Sequence, residues 1–273
     1  MSRSIEETAK ALKQHKRKAL VAYLTAGDPH FQFSHDIIVE LENVGVDIIE
    51  LGVPFGHPVG DGPVIQRSAK RALENGVCLA NILPFVARLR HEGVAIPIVL
   101  FSYHNPVYSY SYERLATEAA KAGVSAVLVV DLPPEESREY CLSFNSAGIE
   151  TVFLATPTTT TERLALISEV GSGFCYYVSH SGVTGGWHNL SDSLASELAQ
   201  VKKIIPIPIF VGFGIRTAEH ARRIGQIADG VIVGSALVEC IENAVDEAEA
   251  KKKMIALAAT LREALDQPAS KDP

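Results

Sequence analysis

The feature that most constrains this chain is a repeated alternation of short apolar runs with amphipathic segments. The runs KALVAYLTAG (18–27), VDIIEL (46–51), IPIVLFS (96–102), SAVLVVD (125–131), IETVFLA (149–155), FCYYVS (174–179), IPIFVG (207–212) and ADGVIVGSAL (228–237) read as strands. SAVLVVD is apolar at nearly every position, as a parallel strand buried on both faces must be. The intervening segments follow a helical period. FSHDIIVELENVG repeats at Ile37, Ile38, Leu41 and Val44 and stops at Gly45, and YERLATEAAKAG closes at Gly123. PEESREYCLSFNSAG reads as one helix with Pro134 in its first turn. Residues 64–75 and 79–92 form two helices parted by Asn75-Gly76, 191–203 another, and 243–265 a closing helix.

Eight strand–helix units with no Pro-, Gly- or Ser-rich linker predict an α/β fold, a closed (β/α)8 TIM barrel. A doubly wound open sheet is the competitor, because alternation alone does not show closure. The expectation is one barrel domain over residues 1–273, with a frayed tail at 267–273. It carries an additional N-terminal helix, 4–15, whose Ser4 and Glu7 have capping-box spacing, and an inserted helix at 79–92.

Composition enters by exclusion. A formal charge of -7 argues against nucleic acid as a partner. Cys78, Cys141, Cys175 and Cys240 are too far apart for a disulfide framework or a paired metal motif, and read as free thiols. The N-terminal stretch is amphipathic and not built like a signal peptide, and no apolar run approaches the ~18 residues of a membrane span. A cytoplasmic protein without a membrane partner is expected.

Chemistry in such a barrel sits at the C-terminal ends of the strands. The stretch VDIIELGVPFGHPVGDGP places Glu50 at the end of the second strand and Asp61 in the irregular loop after it. A carboxylate on a strand and another on a facing loop suit general acid–base work if they share a pocket. Asp28, Tyr103, Asn105 and Asp131 fall on the same rim, each open to the plainer role of cap or loop anchor. Glycines follow the last three strands: SGVTGG (181–186), Gly212-Phe213-Gly214, and Gly234-Ser235 opening a short helix. Free N–H groups there predict a phosphate site, although no nucleotide P-loop is present. Tyr23, Phe101, Leu128, Leu154, Tyr176 and Phe213 would line the mouth, some of them as barrel packing. His57, His104, His180 and His188 are scattered over loops, without metal spacing, and no G-x-S-x-G elbow occurs. The strand interiors hold no lysine for Schiff-base chemistry. The residues alone predict a metal-free barrel in which two acids act on a phosphorylated, partly apolar molecule.

Over nearly its whole length the chain resembles the tryptophan synthase alpha subunit family. The resemblance rests on YLTAGDP (23–29), IIELGVPF (48–55), DGPVIQ (61–66), NPVY (105–108), VLVVDLPPEE (127–136), GVTG (182–185), GFGI (212–215) and VGSALV (233–238). It implies cleavage of indole-3-glycerol phosphate to indole and glyceraldehyde 3-phosphate. It also implies an alpha2beta2 assembly with a beta subunit that receives indole through a tunnel and condenses it with serine. Pyridoxal phosphate is expected only in that partner. By the same resemblance Glu50 is the acid–base and Asp61 accepts the indole N–H. Gly185, Gly214, Gly234 and Ser235 hold phosphate, Tyr176 is on the substrate side, and Thr184 orients its loop against Asp61. The chain departs from the family at Gly56-His57-Pro58, where Ser-Asp-Pro is usual, and at Gly186-Trp187-His188. The first change bears on docking and communication with the beta subunit. A stand-alone indole-releasing lyase and a non-catalytic activator of a beta-type partner are the alternatives, the latter disfavoured by the presence of both Glu50 and Asp61.

Overall fold

The structure, a computed structural model, describes residues 4–179, 187–212 and 214–267. Eight parallel strands close into a barrel in chain order. They are β1 (Ala19–Thr25), β2 (Ile48–Gly52), β3 (Ile98–Ser102), β4 (Ala126–Val129), β5 (Glu150–Ala155), β6 (Cys175–Val178), β7 (Ile209–Gly212) and β8 (Gly230–Val233). Closure is made by β8 on β1, with Ala19 opposite Gly230 and Val21 opposite Ile232. The open sheet is thereby excluded.

The helices are α1 (Ile5–Gln14), α2 (Phe31–Asn43), α3 (Pro63–Glu74), α4 (Leu79–His91), α5 (His104–Tyr110), α6 (Tyr112–Ala122), α7 (Arg138–Ser146), α8 (Thr161–Val170), α9 (Trp187–Val201), α10 (Ala218–Ile227), α11 (Ser235–Glu242) and α12 (Glu247–Asp266). No single described helix is long and apolar enough to cross a membrane.

Strand alternation divides the buried side chains into two cores. Ala19 and Val21 of β1 face the barrel interior with Ile48, Val99, Leu128, Val152, Phe174, Phe210 and Ile232. Leu20, Ala22 and Leu24 face the helices. Every residue of β1 is buried as a result. The interior core continues into α1, whose Ile5 and Leu12 pack beneath the barrel. Glu150, at the start of β5, accepts the N–H groups of Ile5 at 2.7 Å and Glu6 at 3.0 Å. A carboxylate on the first turn of a helix satisfies donors that have no partner within it. Ser4 and Glu7 complete the capping box at the same end.

Four helix readings are corrected. The helix expected at 191–203 is α9, which begins at Trp187 and so takes in His188, expected on a loop. Residues 104–110 form α5 where a loop was expected; Pro106 is tolerated in its first turn, and Asp131 accepts the His104 N–H at 2.6 Å. The segment from Pro134 is a 3-10 turn, Pro134–Glu136, followed by α7, with the Ser137 hydroxyl donating to the Pro134 carbonyl at the break. The closing helix starts at Glu247 rather than 243, because Asp246 caps it by accepting the Glu249 N–H at 2.8 Å. The tail expected to fray lies, from residue 268 on, outside the described residues.

Candidate active site

β2 carries Ile48, Glu50 and Gly52 on its inner face and Ile49 and Leu51 on its outer face, the split that its alternation requires. Glu50 therefore points into the barrel, between Tyr23 of β1 and Val99 of β3 in register. It is 1% exposed. Its Oε1 has no hydrogen-bond partner among the described residues. Burial without a compensating charge or donor pushes the carboxyl up to about 8. An acid held protonated near neutrality, in a strand that fixes its backbone, is a group prepared to give up a proton.

Asp61 reaches the same chamber from the loop between β2 and α3. The loop is folded by its own bonds: the Asp61 N–H donates to the Pro58 carbonyl at 3.0 Å, and Gln66 Nε2 donates to the Asp61 carbonyl at 2.8 Å. The Gly60 N–H donates to the Tyr103 hydroxyl at 2.9 Å. Burial pushes the Asp61 carboxyl up to about 6, with the Tyr103 hydroxyl acting in the opposite direction. Glu50 and Asp61 are both near enough to Tyr23 and Tyr176 to raise the pKa of their hydroxyls when ionised, which sets the two acids around one pair of rings.

Those rings stand where they do because the strand ends beside them lack side chains. A Cβ built on Gly212 would fall 2.2 Å from the Tyr176 hydroxyl oxygen, and one on Gly52 would meet Tyr23 in the same way. Sequence reading missed this function of Gly52, although its parity with Ile48 and Glu50 was available as a signal. It also missed Phe55, whose ring stacks on Tyr103 with centroids 5.1 Å apart.

The other expected residues divide. Tyr23 meets Phe101 edge-on at 5.3 Å. With Ile65 and Val238 they form a small apolar cluster above the interior core. Leu154, Phe101 and Tyr176 are half-buried over that core, whereas Leu128 is 0% exposed and belongs to its packed layer. Gly234 caps α11 and Ser235 begins it. The N–H groups of Leu237 and Val238 return to the Gly234 carbonyl at 2.9 and 3.1 Å, so those of Ser235 and Ala236 point out of the helix end. Gly214 is exposed, with φ at +76°. Thr184, Gly185 and Phe213 lie outside the described residues, as do His180 and Gly186.

Two acids of the rim turn away from the chamber. Asp28 is held by Arg71 through paired bonds of 2.8 and 2.7 Å, and Arg71 also reaches Glu242 at 2.9 Å. Asp131 caps α5, and Asn105 is exposed on that helix. Among the described residues no three His, Cys, Asp or Glu side chains come together in a way that could hold a metal ion.

Comparisons with known proteins give the family. The family described as tryptophan synthase alpha chain matches residues 9–266. The chain belongs to that family. A tryptophan synthase alpha chain from Geobacter sp. (strain M21) is 49% identical over 242 residues, covering 89% of this chain and 90% of the relative. One from Marinobacter nauticus is 46% identical over 267 residues, covering 97% and 98%. Among solved structures, the tryptophan synthase subunit alpha of Legionella pneumophila superposes with a TM-score of 0.89 at 36% identity, covering 96% of this chain and 98% of that one. A tryptophan synthase from M. tuberculosis gives 0.86 at 31% identity, covering 98% of this chain and 100% of that one. Membership in the tryptophan synthase alpha chain family supports a lyase of tryptophan biosynthesis built on a TIM barrel.

Proposed function

We propose that this chain cleaves indole-3-glycerol phosphate to indole and glyceraldehyde 3-phosphate, with Glu50 as acid–base and Asp61 as the counter-charge. The observation that carries the reading is Glu50: an inward-facing carboxyl, 1% exposed, with no partner for Oε1. A buried polar atom left unmatched costs stability, and such groups are found where a function needs them.

The reaction follows from the two positions. Glu50 gives its proton to indole C3, making that carbon tetrahedral and leaving the ring system cationic. Asp61 accepts the ring N–H and stabilises the positive charge as it develops. The Glu50 carboxylate then takes the proton of the glycerol hydroxyl nearest the ring. The carbon–carbon bond breaks, its electron pair restores the indole, and the hydroxyl carbon becomes the aldehyde. Glu50 ends the cycle protonated, as it began.

Tyr23, Phe101, Leu154 and Tyr176 are suited to hold the flat indole, with Leu128 supporting them from below, and we assign Thr184 and Phe213 to the same substrate by resemblance to the family. Gly185, Gly214, Gly234 and Ser235 hold the phosphate, where the outward N–H groups at the start of α11 offer donors to an anion. The substrate spans the mouth from the β2 side to the β8 side. We assign the chain to the cytoplasm and to an alpha2beta2 assembly in which a pyridoxal-phosphate beta subunit takes up the indole and joins it to serine.

The decisive experiment is indole release from indole-3-glycerol phosphate, measured with and without added beta subunit. Turnover stimulated by the beta subunit is expected. High turnover by the chain alone would favour a stand-alone lyase. In Glu50→Gln, indole release falls at least a thousandfold while binding of a phosphate-bearing analogue persists; near-normal turnover would remove Glu50 from the mechanism.

A further inference from the structure

Tyr103 directly follows β3 and is 3% exposed. Its ring stacks on Phe55, with planes 26° apart, at the beginning of the acid loop. Its hydroxyl accepts the Gly60 N–H at 2.9 Å near the end of that loop. Asp61 is the next residue in the chain, and this hydroxyl acts on its carboxyl against the effect of burial. One side chain thus grips the segment at both ends. The Gly60 N–H uses a lone pair of that oxygen, which leaves the single phenolic hydrogen free to donate. A donor of this kind favours the charged form of a carboxyl.

The anchor is itself anchored. The Ser102 hydroxyl donates to the Tyr103 carbonyl at 3.0 Å, and Asp131 holds the next N–H, that of His104, at 2.6 Å. The contact at Gly60 is close: a Cβ there would lie 3.2 Å from the Tyr103 oxygen and 3.3 Å from Val130 Cγ1. Other titratable groups facing Asp61 are the hydroxyls of Tyr23 on β1 and Tyr176 on β6, both neutral. On α3, Arg67 is bonded to Glu242, Arg71 to Asp28, and Lys70 pairs with Glu74.

We propose that Tyr103 is a positioning residue that acts through Asp61, holding the loop from Phe55 to Gly60 so that the next residue's carboxyl is presented to a substrate ring N–H. The inference rests on the reading of Asp61 as the group that meets the indole nitrogen.

Tyr103→Phe tests it, because the ring and its stack on Phe55 are kept while the hydroxyl is lost. With 13C-carboxyl-labelled aspartate, the Asp61 titration midpoint is expected to move upward by about one unit. At pH 7, kcat/KM is expected to fall about tenfold, chiefly through kcat, and to recover partly as pH rises. In an Asp61→Asn background the same change is expected to cost less than twofold. An unmoved Asp61 titration, or an equal tenfold loss in both backgrounds, overturns the proposal. The titration needs no turnover, so a wild-type chain releasing no indole would refute the reaction while Tyr103 is still decided by the midpoint.

Discussion

The hydroxyl oxygen of Tyr23 lies 2.2 Å from where a Cβ on Gly52 would be. The ring rises from the residue paired with Glu50 and leans over the last residue of β2. Its position beside the buried acid therefore depends on a missing side chain one strand away.

Gly52→Ala should be costly in stability and in turnover. The added methyl would also meet Tyr23 Cζ at 2.6 Å and Cε2 at 2.9 Å, atoms of a rigid ring that already packs edge-on against Phe101. Overpacking of this kind costs about 1–3 kcal/mol. A urea titration should show the loss at an unchanged m-value, and kcat should fall at least tenfold. In a Tyr23→Leu background the penalty should shrink, because a flexible side chain can move aside.

The wild-type pH profile of kcat/KM, which reports the groups of the free protein, should be a bell. Asp61 must be ionised, so activity rises with pH through about 6. Glu50 must carry a proton, so activity falls through about 8. Steady-state indole release from pH 5 to 9.5 reads both limbs; a profile flat from 6 to 9 would show that these groups do not control the step.

Stability should carry the imprint of Glu50 with a defined sign. The folded carboxyl keeps its proton up to about 8, whereas the ordinary value is 4.5. Between those limits the unfolded chain binds fewer protons, so stability falls as pH rises and levels off above 8. Glu50→Gln should remove that slope. The variant should be more stable than wild type at pH 8.5 by on the order of 1–3 kcal/mol, with the difference vanishing below pH 4. Urea midpoints at the two pH values check it.

Arg71→Met should destabilise the fold by about 3 kcal/mol, because it leaves the Asp28 carboxylate buried alone. The Asp28 side chain is 1% exposed, and its paired bonds to Arg71 join the loop after β1 to α3, while Glu242 extends the link to α11. Adding Asp28→Asn should recover part of the loss in a urea titration. Full additivity of the two changes would show that the pair is not coupled.

What the sequence made legible was whatever repeats locally. Strand alternation places Glu50 on an inner face, and the Gly-Ser step at the start of α11 marks a helix end with free donors. Pairings between distant residues left no such trace. Asp28 reads as a rim acid until Arg71, 43 positions away, is seen to occupy it. Leu128 reads as mouth lining, but depth within a barrel is set by stagger between strands, which one strand's pattern does not encode. The helix at 104–110 was hidden because Asn105-Pro106 resembles a turn, and its cap, Asp131, comes from another loop. The lack of a partner for Glu50 Oε1 is a property of the assembled interior alone.

The docking of α1 on Glu150 has a consequence for traffic. With Ile5 and Leu12 packed beneath an interior layer that has almost no exposed surface, the barrel is a vessel closed at its base. A molecule that reaches Glu50 is therefore denied the floor as a way out, and all passage to and from the acid is confined to the rim where the strands end.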